Sequence, residues 1–137
     1  MIVFDTSTLV GAAIGRGSVP DQAVRYAFAA DRVAMSEAMM TEVLDVLARP
    51  RLARFLDPDL RDEVLSLLDA FGVFFAPAER VTDCRNAKDN KVLELALAAG
   101  AELIISSDAD LLVLHPWRGV HILRPAEYLA EAKDHRP

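Results

Sequence analysis

Ile2-Val3-Phe4-Asp5-Thr6-Ser7-Thr8 carries the fold's signature in seven residues. Three apolar residues in a row, two of them β-branched, read as a short strand inside a sheet. The acid and the three hydroxyl residues that follow end the strand and open a turn. An apolar run without polar alternation suits the centre of a parallel sheet, which is covered on both faces. The same grammar returns at Leu103-Ile104-Ile105-Ser106-Ser107-Asp108. Open parallel sheets bind ligands outside the carboxyl ends of their strands. Asp5 and Asp108 are therefore expected where a ligand would bind.

Along the rest of the chain, apolar runs predict strands near 2–5, 33–35, 72–76, 103–106 and 120–123. Helical spacing lies between them, near 20–29, 36–48, 58–70 and 87–99, with shorter pieces near 7–14, 50–56, 109–114 and 125–133. Strands that alternate with helices call for a parallel sheet covered by helices on both faces. The expected fold is α/β, a three-layer α/β/α sandwich around a mainly parallel sheet of about five strands. Pro58 can start a helix, and Gly72 and Gly100 can stop helices before strands. No repeat or linker is visible, so residues 1–137 are expected to be a single domain, with a frayed tail after about Ala132.

Composition narrows the function. No apolar run of about 18 residues is present, and the N-terminus has no basic leader, so neither a membrane span nor a signal peptide is expected. The lone Cys84 cannot form an internal disulfide, which fits a reducing, cytoplasmic setting. A formal charge of −6 argues against nucleic-acid binding through bulk charge. The basic residues are clustered, however, as Arg49, Arg51 and Arg54, and as Arg80, Arg85, Lys88 and Lys91. Each group can hold phosphates or simply solvate a helix end.

Two further acids join the strand-end pair. Glu42 stands at the edge of the apolar stripe of its helix, and Asp89 lies in line with Leu93 and Ala96 on the stripe that should face the sheet. All of Asp5, Glu42, Asp89 and Asp108 can fall at one edge of a parallel sheet. Crowded carboxylates repel one another unless a cation lies between them. Their hard oxygens suit Mg²⁺ or Mn²⁺. Each acid also has a plain reading. Asp5 and Asp108 can cap the turns that follow them, Glu42 can be solvated, and Asp89 can be a first-turn acid behind an Asn86 cap. Ser7, Ser106 and Ser107 can donate to carboxylates or to metal-bound water. His115, His121 and His135 lack zinc spacing, and no phosphate-loop or dinucleotide-binding glycine motif occurs. Trp117, beside Pro116, reads as loop packing rather than a base-stacking platform.

These residues resemble the PIN-domain family. The resemblance runs through Ile2 to Val10, Ser36-Glu37, Thr41-Glu42-Val43-Leu44, Leu47-Ala48-Arg49-Pro50, Cys84 to Lys91, Leu93 to Ala101 and Leu103 to Leu112, and closes at Ile122 to Leu129. It is strongest to the toxins of prokaryotic toxin–antitoxin pairs. It implies a Mg²⁺- or Mn²⁺-dependent endoribonuclease. Asp5, Glu42, Asp89 and Asp108 would hold one or two cations, with Asp110 as an auxiliary acid. Ser7 and Ser106 would support them. Arg49, Arg51, Arg54, Arg85, Lys88 and Lys91 would contact RNA. A cognate antitoxin and a homodimer are the implied protein partners. The sequence departs from the family's usual pattern at Ser7, where Asn is common, and at Asn86, where many relatives carry an acid.

Two other classes remain open. One is a PIN-like module without catalytic activity that binds RNA or protein, kept open by Ser7. The other is an acidic-pocket domain of the receiver or phosphatase type. A receiver needs a mid-chain strand ending in Asp, whereas Val73-Phe74-Phe75 ends in Ala76-Pro77. A phosphatase of this type needs an acid where Ser7 stands.

Overall fold

The structure, a computed structural model, describes residues 1–134. Strand β1 (Ile2–Phe4) leads into helix α1 (Thr6–Ile14) and then α2 (Val19–Ala30). Strand β2 (Ala34–Met35) precedes α3 (Glu37–Leu47), the short α4 (Pro50–Ala53) and α5 (Pro58–Phe71). Strand β3 (Val73–Phe74) is followed by a long loop, a 3-10 turn (Ala87–Asp89) and α6 (Asn90–Ala99). Strand β4 (Leu103–Ile105), α7 (Ala109–Leu112), β5 (His121–Leu123) and α8 (Pro125–Asp134) complete the order. Helix α8 thus continues past Ala132, and the rest of the expected frayed tail, with His135, lies outside the described residues.

The chain is a parallel α/β fold, as the alternation of strands and helices predicts. β1 pairs in parallel with β4, and β4 with β5, so β4 lies in the middle of a three-stranded sheet. β2 and β3 pair in parallel as a second ladder. The expected sheet of about five strands is therefore divided. The two parts meet at a single parallel bridge, Ile2 with Val33, supported by Ile2 N–H donating to the Arg32 carbonyl at 2.8 Å. β2 is only two residues long, and both pair with β3.

Burial follows the apolar runs. Ile2, Val3 and Phe4 are buried, and Ile104 and Ile105 beside them are fully so. Helix α6 lays Val92, Leu93, Leu95 and Ala96 into the core and touches β1, β2 and β4. Helix α3 packs against both α1 and α6. Two glycines end helices for different reasons. Gly100 adopts φ +61°, a left-handed conformation that lets its N–H reach back to α6 carbonyls. Gly72 instead needs its missing side chain, because a Cβ there would lie 2.3 Å from the Leu68 carbonyl oxygen. Trp117 is buried, and its indole N–H donates to Asp83 at 2.9 Å, as expected of a packing residue.

Candidate metal centre at the carboxyl edge of the sheet

Parallel pairing sends β1 and β4 the same way, so their last residues, Phe4 and Ile105, are register partners. Asp5 and Ser106 follow immediately and are buried together. Asp5 caps α1: one carboxylate oxygen accepts the Thr8 N–H at 2.9 Å. The other accepts the Ser7 hydroxyl at 3.1 Å and a short hydrogen bond from the Ser106 hydroxyl. Ser106 in turn accepts the Asp108 N–H at 2.9 Å. This hydroxyl therefore joins the end of β1 to the turn after β4.

Asp108 caps α7 by accepting the Asp110 N–H at 2.9 Å. The plain capping reading therefore holds for Asp5 and Asp108, alongside any chemistry. For Asp89 the first-turn reading holds as well: Asn86 caps the turn and Asp89 is its acid. Asn86 caps only the 3-10 turn, which ends at Asp89 itself. Asp89 then stands at the N-cap of α6 with no capping hydrogen bond from its side chain. Its Oδ2 is buried and has no hydrogen-bond partner among the described residues.

The packing brings Asp89, Asp108 and Asp110 together, with one carboxylate oxygen from each within 4.8 Å of the others. Asp89 shows the electrostatic consequence. Burial, then a hydrogen bond with Asp108 and the charges of Asp108, Asp5 and Asp110, push its carboxyl up to about 7. A group in this state is one that a cation would relieve.

Asp89 and Asp108, but not Asp110, border an open cleft of about 670 Å³, lined by residues of α1, α3 and the start of α6. Asp5, Glu42, Asp89 and Asp108 all line it. Glu42 is not in the tight trio, and its carboxylate is ion-paired with Lys91. Arg49 and Lys88 also line the cleft, whereas Arg51, Arg54 and Arg85 are exposed and do not. Arg54 lies over the ring of Phe55 at 4.8 Å. Asp45 lines the cleft too, although the sequence pattern does not single it out. Its position three residues after Glu42, on the same helix face, is the signal that could have found it.

Cys84 lies beneath the trio. It is buried, its thiol donates to the Asp110 carbonyl at 3.5 Å, and burial raises its pKa. Those features suit packing rather than nucleophilic attack. The Cys84 N–H donates to Asn90 Oδ1 at 2.8 Å, which ties the loop to the start of α6 close to Asp89.

The donor set fits a hard divalent cation. Asp89, Asp108 and Asp110 offer carboxylate oxygens at close quarters. Two buried polar atoms of cleft-lining residues, Asp89 Oδ2 and Thr6 Oγ1, have no partner among the described residues. A buried polar atom left unpaired is costly, so its persistence at a site is a sign of a missing ligand.

Ser106 is the internal joint of this arrangement. Ser106→Ala is expected to destabilise the protein by about 1–3 kcal/mol, because Asp5 and the Asp108 N–H each lose a buried partner. Urea unfolding measures this, and a change below about 0.5 kcal/mol would show that the hydroxyl is dispensable.

No curated protein matches the chain. Residues 1–110 do match a family model, that of the PIN domain, which covers most of the 137-residue sequence and includes every acid of the trio. The members of that family are generally metal-dependent nucleases. By the order of its strands' acids and the extent of the match, the chain belongs to the PIN domain family.

Proposed function

We propose that this protein is an endoribonuclease dependent on Mg²⁺ or Mn²⁺, and that it is the toxin of a toxin–antitoxin pair. The observation that carries the nuclease reading is the Asp89, Asp108 and Asp110 trio, with its unpartnered Asp89 oxygen; Asp89 and Asp108 line a cleft that also presents Arg49, Lys88 and Lys91. The toxin role, the cognate antitoxin and a homodimer rest on the sequence resemblance. The reading of residues 1–137 as one domain at work in the cytoplasm rests on the length, the lack of a linker and the lone Cys84. Among the described residues, no helix is long and apolar enough to cross a membrane.

The proposed cation ligands are Asp89, Asp108 and Asp110, with Asp5 beside them. A bound divalent ion would supply Lewis acidity, making water a better nucleophile and neutralising charge on the phosphodiester. The protein's own part is positional. Ser7, Ser106 and the Thr8 N–H hold Asp5 in one orientation, and the α7 cap holds Asp108. Ser7 reaches Asp5 despite being shorter than Asn, so this departure from the family pattern does not leave the acid unheld. Arg49 and Lys88, which line the cleft, would bind backbone phosphates of the substrate. The exposed Arg51, Arg54 and Arg85 would extend that contact along a longer RNA.

Purified protein is expected to cut unstructured single-stranded RNA in Mg²⁺ or Mn²⁺ and to stop in excess EDTA. Undiminished cleavage in EDTA would sink the metal-dependent nuclease reading. Co-expression with the product of an adjoining gene, followed by co-purification and loss of cleavage, tests the toxin assignment.

A further inference from the structure

Glu42 and Lys91 meet inside the cleft rather than at its rim. Their charged ends form an ion pair, and the two side chains are only 29% and 27% exposed respectively. Glu42 comes from α3 and Lys91 from the first turn of α6, two helices that pack against each other. Lys91 follows Asp89 by two residues and lines the same cleft as Asp89 and Asp108, two acids of the trio.

This pair changes how many cations the acids can hold. Glu42 already has a counter-charge, so it has no need of a metal. A divalent ion that engaged Glu42 would have to displace the ammonium. It would leave Lys91 part-buried and unpaired next to an ion of the same sign, and breaking such a pair is costly. Asp45 stands one turn from Glu42 and lines the same cleft. With the lysine removed, Glu42 would lose its counter-charge one turn from Asp45, leaving two carboxylates in the cleft that attract a cation.

Building on the metal-dependent reading above, we propose that Lys91 takes the place of a second metal ion. The trio of Asp89, Asp108 and Asp110 holds one divalent cation. Lys91 holds Glu42 and supplies the other positive charge of the site, which a substrate phosphate meets on entering the cleft. An ammonium on a flexible four-carbon stem suits this role, since it can stay near Glu42 while turning a donor toward a phosphate oxygen. Lys91 is thus a positioning residue for Glu42 and a fixed cation of the centre.

The test counts ions by Mn²⁺ titration of the purified full chain, followed by electron paramagnetic resonance. The wild type is expected to bind one Mn²⁺ per chain. Lys91→Gln should gain a second, and Lys91→Gln combined with Glu42→Gln should return to one. Lys91→Arg, which keeps the charge, should stay at one. Glu42→Gln alone should hold its single Mn²⁺ within about threefold of the wild-type affinity. Two Mn²⁺ in the wild type, a Lys91→Gln protein that still binds one, or loss of the ion in Glu42→Gln overturns the role assigned to Lys91 while leaving a metal nuclease standing. A wild type that binds no Mn²⁺ overturns both. Glu42→Gln and Lys91→Arg keep the test decisive should Lys91→Gln fail to fold.

Discussion

Asp108→Asn is expected to abolish RNA cleavage while leaving the fold intact. Asparagine keeps an oxygen that can accept the Asp110 N–H, and it is itself a good N-cap, so α7 retains its start. The Asp108 N–H to Ser106 bond is a backbone contact and survives. Only the charge is lost, and it is lost from the centre of the trio. A metal ion contributes several kcal/mol of charge stabilisation to a phosphoryl transfer, so loss of a ligand should lower the rate on the order of 10³-fold. Initial rates on a labelled RNA in Mn²⁺, set beside thermal unfolding of both proteins, measure this. A variant that folds normally and cuts within about tenfold of wild type would remove Asp108 from the centre.

The second large effect concerns pH and Asp89. In the folded, metal-free protein its carboxyl is raised from 3.8 to about 7, by burial first and then by Asp108, Asp5 and Asp110. The unfolded chain releases this proton near the ordinary carboxylate value. Between pH 3.8 and about 7 the folded state therefore binds more protons than the unfolded state. Stability is present below that window and is lost as pH rises through it. A cation needs the carboxylate, so Mn²⁺ affinity should climb over the same window, with release of a proton, and level off above about pH 7.

Asp89→Asn should separate these effects from helix capping. The variant should lose the pH slope that Asp89 contributes, and at about pH 8 in EDTA it should be at least as stable as wild type. At about one hundred times Kd, metal stabilises the wild type by about 2.7 kcal/mol, and the variant should lose most of that gain. Thermal unfolding at several pH values, each with EDTA and with excess Mn²⁺, reads all of this. If the variant is less stable in EDTA, yet gains as much from metal as wild type and still cuts RNA, Asp89 is a helix-start acid and nothing more. Asp89 does stand in the first turn behind the Asn86 cap, although its own side chain makes no capping hydrogen bond.

Much of the architecture is legible in the sequence because it is local. Apolar runs against polar turns mark all five strands within a few residues. Gly72 and Gly100 end α5 and α6 where a Cβ clash and a positive φ respectively require glycine. Asp5 and Asp108 can be placed at strand ends because each closely follows its strand in sequence. Parallel pairing then brings the ends of β1 and β4 to one edge. The division of the sheet is not legible, because it depends on which short strand finds a partner rather than on any strand's own composition.

Element order, the parallel α/β class and the sheet edge at which the acids gather all follow from the sequence, since periodicity and turn chemistry act over a few residues. How those acids are used follows only from their arrangement in space. Asp110 joins Asp89 and Asp108 only because the turn before α6 and the start of α7 converge. Asp89 makes no capping hydrogen bond of its own at the start of α6, where a 3-10 turn follows Asn86. Glu42 faces Lys91 instead of the trio because α3 packs on α6. Burial and charge act through space, between groups as far apart in the chain as Asp5 and Asp89, and no local pattern carries that information.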